Sequence, residues 1–89
     1  MFSVYRSHTA QTPLREAWEQ GDHALREAIC QASHFVDLRL RQAPEDQGES
    51  REDQTRILFQ APVGVLFQID KENMIVRILR SWAFRGLKR

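Results

Sequence analysis

The sequence is short of several things that would narrow its role. It holds one cysteine, Cys30, and one tyrosine, Tyr5. A lone cysteine cannot close an internal disulfide, which suits a reducing compartment and points to the cytoplasm. No apolar run approaches the ~18 residues of a membrane span. The opening Met-Phe-Ser-Val-Tyr-Arg has no basic region followed by an apolar one, so no secretory signal is expected. No internal repeat, low-complexity tract, Gly-rich phosphate loop or zinc-ligand spacing occurs, and neither a metal nor a cofactor is expected. Acids are missing altogether from residues 74–89, which carry Arg77, Arg80, Arg85, Lys88 and Arg89.

At 89 residues the chain is expected to be one domain, residues 1–89, with room for a core but little room for a second site. Its 42% hydrophobic and 28% charged content is that of an ordinary globular protein. The net charge of +1 hides an asymmetry, because residues 45–53 carry five acids and one base. A basic end suits a polyanionic or acidic partner, and it also suits a solvated tail.

The richest stretch is residues 55–84. Thr55 to Ala61 predicts a strand, punctuated by Pro62. Val63 to Ile69 predicts a second, Asp70-Lys71-Glu72-Asn73 a polar turn, and Met74 to Phe84 a third strand. Short connections make this an antiparallel meander. Strict alternation puts Val63, Val65, Phe67 and Ile69 on one face. On the third strand it groups Val76, Ile78, Arg80 and Trp82 against Ile75, Arg77 and Leu79. Arg77 and Arg80 are an odd number of residues apart, so an unbroken strand cannot aim both into one groove, whereas a bulge can.

Before the meander, residues 2–8 predict a short strand. Thr12-Pro13 looks like a helix start, and Leu14, Ala17 and Trp18 share one face of that helix. Trp18 is expected in the core. Gly21 ends the helix and Asp22 caps the next. Residues 23–42 predict a long helix with Leu25, Ala28, Ile29, Ala32, Phe35 and Val36 on its apolar stripe. Cys30, His23 and His34 lack metal-like pairing and are expected to be structural or surface residues. Ala43-Pro44 breaks the helix, and a polar loop containing Gly48, Glu49, Ser50 and Arg51 follows. The expected class is therefore α+β: an N-terminal strand, a helical hairpin covering one face of the sheet, and a three-stranded antiparallel meander.

This order resembles the RelE/ParE toxins of bacterial type II toxin–antitoxin systems, also called plasmid stabilisation proteins. The residues behind the resemblance are the Gly48-Glu49-Ser50-Arg51 loop, Arg56-Ile-Leu-Phe, Val63-Gly-Val-Leu-Phe-Gln-Ile-Asp70 and Val76-Arg-Ile-Leu-Arg-Ser-Trp82. The resemblance implies a toxin held inactive by a cognate antitoxin. RelE-like members enter the ribosomal A site and cut mRNA, and ParE-like members poison DNA gyrase.

RNA cleavage needs a base for the 2′-hydroxyl, cations for the phosphate and an acid for the leaving 5′-oxygen. The guanidinium fork suits the second task. The candidate catalytic residues are Glu49 as general base with Arg51, Arg56 and Arg80. Arg77, Arg85 and Lys88 are candidates for RNA or phosphate binding, and Arg77, Arg80 and Arg85 for the antitoxin. One departure stands out: where active RelE-like members often place a tyrosine or histidine, this chain has Phe84, which cannot move a proton.

Overall fold

The computed structural model describes residues 1–84. Its first strand, β1 (Ser3–Arg6), leads into two helices, α1 (His8–Gln20) and α2 (His23–Gln42). The polar segment after them contains 3-10 turns at Pro44–Asp46 and Glu52–Gln54 around a two-residue strand, β2 (Glu49–Ser50). The meander follows as β3 (Thr55–Gln60), β4 (Val63–Asp70) and β5 (Ile75–Ala83). The fold is α+β, as expected. The sheet is larger than the meander, with five strands in the order β1-β5-β4-β3-β2. β1 lies parallel to β5, and the other neighbours are antiparallel.

Both helices cover one face of this sheet. Leu14 of α1 and Ile29, Ala32, Val36 and Leu40 of α2 pack against Leu58, Val63, Val65, Phe67, Val76 and Ile78. Phe67, Leu40 and Val76 are wholly buried. The buried stripe of α2 advances by three or four residues, as a helix seated on a sheet requires. Phe35 lies about 100° from Val36 around the helix and so falls outside that stripe, exposed, contrary to expectation.

Two further expectations give way. α1 starts five residues before Pro13, because the Ser7 hydroxyl accepts the Ala10 N–H at 3.0 Å and caps it. Pro13 therefore sits inside the helix, where it removes the donor to the exposed Thr9 carbonyl. Trp18 is not in the core. It is 38% exposed, with the Arg26 guanidinium 4.6 Å above its ring. The sheet-facing positions of α1 are Ala10 and Leu14 instead. Asp22 caps α2 as expected, accepting the Leu25 N–H at 2.9 Å.

β5 carries the irregularity that organises the open side of the sheet. Phe67 pairs with Ile78, but the next β4 residue, Leu66, pairs with Arg80. Leu79 is thus an extra residue, a β-bulge. Beyond it the alternation is reset. Ser81 turns into the core, buried, its hydroxyl donating to the Ala10 carbonyl at 3.4 Å. Arg80 and Trp82 turn outward, so they do not share a face with Val76 and Ile78.

Candidate functional site

Residues directly opposite one another on neighbouring strands share a face of the sheet. The register therefore defines what the uncovered face presents. One row runs Thr55, Gln68, Arg77 and Tyr5 across β3, β4, β5 and β1. The next runs Glu49, Ile57, Leu66 and Arg80 across β2, β3, β4 and β5. The last runs Phe59, Gly64 and Trp82. The helices lie on the other face, so these side chains look into solvent.

The bulge thus brings Arg77 and Arg80 to the same face. Arg77 has one loose ion contact, to Asp70 at 3.9 Å, and among the described residues Arg80 has none. A side-chain hydrogen bond and a backbone N–H, both from Asn73, hold the Asp70 carboxyl below its ordinary value. An open depression of about 430 Å³ between Gln54, Gln68, Asp70 and Arg77 borders this end of the face.

The opposite end is aromatic. Phe59 meets Trp82 edge-to-face, with centroids 6.2 Å apart, and Phe84 at 5.4 Å. Gly64 makes this possible, since a Cβ there would stand 2.7 Å from the Trp82 indole. Phe59 remains 54% exposed, so the cluster is a platform and not a core.

Glu49 and Arg51 sit at the far edge, on and just after β2. They face each other, Arg51 Nη1 lying 3.4 Å from Glu49 Oε1. Glu49 and Arg80 share a row but are separated by two strands. Three inter-strand steps of about 4.8 Å put their backbones roughly 14 Å apart. Arg56 is on the helix side of β3, since it pairs with Phe67. Its guanidinium donates to the Gln47 and Gly48 carbonyls at 2.8 and 3.1 Å, which tethers the polar loop. Gly48 has φ +69°, and a Cβ there would meet the Ile57 carbonyl oxygen at 2.1 Å, so the close pass of loop and strand requires glycine. Lys71 pairs with Glu45, and that hydrogen bond holds the ammonium pKa above its ordinary value.

Of the residues singled out in the sequence, Arg77 and Arg80 come together, Glu49 and Arg51 form a separate pair, and Arg56 faces away. Arg85 and Lys88 lie outside the described residues. The register adds Tyr5, Gln68, Phe59 and Trp82. Tyr5 alternates with Val4 and Arg6 in the sequence, but nothing local reveals that Arg77 is its neighbour. Among the described residues no group of His, Cys, Asp and Glu is arranged to hold a metal. No helix among them is long and apolar enough to cross a membrane.

A helical hairpin on one face of a small mixed sheet, with cations and aromatics on the bare face, defines the class to which the chain's architecture belongs. The fold is shared with solved structures of RelE and ParE toxins. The chain aligns with the toxin–antitoxin complex RelBE2 of Mycobacterium tuberculosis at a TM-score of 0.67 and 20% identity, covering 92% of this chain and 90% of that one. It aligns with the chromosomal ParDE system of P. aeruginosa at 0.74 and 18%, covering 96% and 98%. The isolated E. coli RelE toxin aligns at 0.60 and 10%, covering 99% and 89%. No protein-family model and no curated protein matches the sequence.

Proposed function

We propose that this protein is the toxin of a toxin–antitoxin pair, and that it acts as a ribosome-dependent mRNA endoribonuclease through the open sheet face. The observation that carries this reading is the bulge at Leu79, which aims Arg77 and Arg80 to the side the helices leave bare. Forked cations on an uncovered face suit a phosphodiester, and the RelE-type neighbours support the toxin role. In the reaction the RNA 2′-hydroxyl attacks the adjacent phosphorus, and the bond to the 5′-oxygen breaks. Glu49 takes the hydroxyl proton, Arg80 and Arg77 stabilise the charge on the phosphoryl oxygens, and the leaving 5′-oxygen takes a proton from water. Glu49 and Arg80 must extend toward one another over Ile57 and Leu66 to share one phosphate. The protein works in the cytoplasm, where ribosomes and mRNA are.

The same face takes the antitoxin. An acidic, amphipathic segment fits the alternation of arginines with Leu66, Ile57 and the Phe59–Trp82 platform. Its carboxylates pair with Arg77 and Arg80, and with Arg85 beyond the described residues. Arg80→Glu then weakens the complex with the cognate antitoxin, and unchanged affinity by calorimetry would refute that placement.

Cell-free translation tests the nuclease reading. The expected result is inhibition together with new mRNA 5′ ends that depend on ribosomes. Full translation of intact mRNA in excess protein sinks it. A second reading is a non-catalytic inhibitor of DNA gyrase, favoured by the ParDE alignment and by Phe84, which offers no proton. A supercoiling assay unaffected by excess protein counts against it.

A further inference from the structure

Tyr5 has no part in the chemistry above, yet the fold puts it in a telling place. Parallel pairing of β1 with β5 makes Tyr5 the direct neighbour of Arg77, one inter-strand step of about 4.8 Å away. Its side chain shares the open face and is 58% exposed. Among the described residues its ring packs on no other aromatic, and its hydroxyl has no hydrogen-bond partner. An open depression of about 400 Å³ lies between the strands, walled by Tyr5, Arg6, Ser7, Arg77, Ile78 and Leu79. The Arg6 guanidinium is held by Asp37 of α2 on the other side of the sheet. Arg77 is therefore the cation at this depression that is open to a ligand.

We propose that the β1–β5 depression is a nucleotide subsite, in which the Tyr5 ring stacks on a base of single-stranded RNA and the Arg77 guanidinium holds the adjoining phosphate. A flat ring beside a forked cation matches the two ends of one nucleotide. Unpaired bases stack on aromatic side chains, whereas a duplex keeps its bases stacked within itself. Arg80 follows Arg77 on the same face of β5, opposite Leu66 where Arg77 is opposite Gln68, so the RNA strand continues from Arg77 toward Arg80. The subsite extends the track of the nucleic acid beyond the cleavage point, to a strand the helical hairpin separates in sequence from the arginines. The inference rests on the RNA-directed reading of the open face.

The single tyrosine makes the test direct. Full-length protein carrying 3-fluorotyrosine has one fluorine resonance, and that resonance reports on Tyr5. It is titrated with a short fluorescein-labelled single-stranded RNA, while anisotropy follows binding in the same samples. The resonance is expected to shift with the same Kd as the anisotropy, and the fully paired RNA is expected not to move it. Tyr5→Phe keeps the affinity, because the ring is retained, and Tyr5→Ala weakens it roughly tenfold. Arg77→Ala weakens binding and reduces the slope of log K against log salt by about 0.7. Binding by anisotropy with a stationary resonance overturns the subsite and leaves the RNA reading standing. Absence of any RNA binding at low salt overturns both.

Discussion

Deleting Leu79 separates the bulged register from a regular one. Ile78 and Arg80 already face consecutive β4 residues, Phe67 and Leu66. Without Leu79 the ladder closes across the gap, Ser81 stays in the core, and Arg80 and Trp82 stay on the open face. The loss is the covered part of the leucine, which is 42% exposed. Full burial of such a side chain contributes about 1.5–3 kcal/mol, so the deletion costs about 1–1.5 kcal/mol. For a domain of this size that lowers Tm by roughly 5–10 °C. In a regular strand the same deletion would swap every face after residue 78. Trp82 would then leave the core and Ala83 take its place, and the loss of so large a buried side chain costs about 3–5 kcal/mol out of a total stability of only about 5–15 kcal/mol. Thermal and urea unfolding by circular dichroism distinguish the two. A cooperative transition with a modest loss is expected. A chain that no longer folds, or one destabilised by more than about 3 kcal/mol, refutes the bulge and with it the alignment of the two arginines.

Three other perturbations probe separate parts of the account. Gly64→Ala drives a methyl group into the Trp82 indole and should cost about 1–3 kcal/mol; in a Trp18→Phe background the Trp82 emission should shift, and an unchanged spectrum and Tm would contradict the packing. Arg56→Ala frees the Gln47 and Gly48 carbonyls and should cost about 1–2 kcal/mol with faster amide exchange around Ser50, while exchange in β4 and β5 stays as before; uniform loosening would argue against a local tether. The Asp70 carboxyl is held below its ordinary pKa of 3.8, so its contribution to stability is present above that value and is lost as pH falls below it. Asp70→Asn should flatten the acid limb of the stability profile between about pH 5 and pH 2, and parallel limbs for the two proteins would reject the assignment.

How far the sequence can be read depends on where each determinant lies. The apolar alternation of Val63, Val65, Phe67 and Ile69 marks the core face of β4 without reference to anything distant. The stripe through Ile29, Ala32 and Val36 does the same for α2. The start of α1 is less legible, because Ser7 and Thr12 are both good caps and Pro13 favours the wrong one. Ile78-Leu79-Arg80-Ser81 reads equally well as a regular strand, and only pairing with β4 exposes the extra residue. β3 alternates Arg56, Leu58 and Gln60 with Ile57 and Phe59, so both faces carry apolar residues and the inward turn of Arg56 is not written in the pattern. Tyr5 meets Arg77 through a parallel pairing that bridges both helices and the rest of the sheet, a contact no local signal encodes.

We propose that the open face, through Arg77 and Arg80, makes this chain a toxin that cuts mRNA. Induced expression of the wild type beside an Arg77→Ala/Arg80→Ala variant, shown to be folded by circular dichroism, tests it most directly, with growth and RNA 5′ ends followed in the same cultures. The wild type is expected to arrest growth and generate new mRNA 5′ ends, and the variant to do neither. Arrest by both proteins with intact mRNA would contradict it.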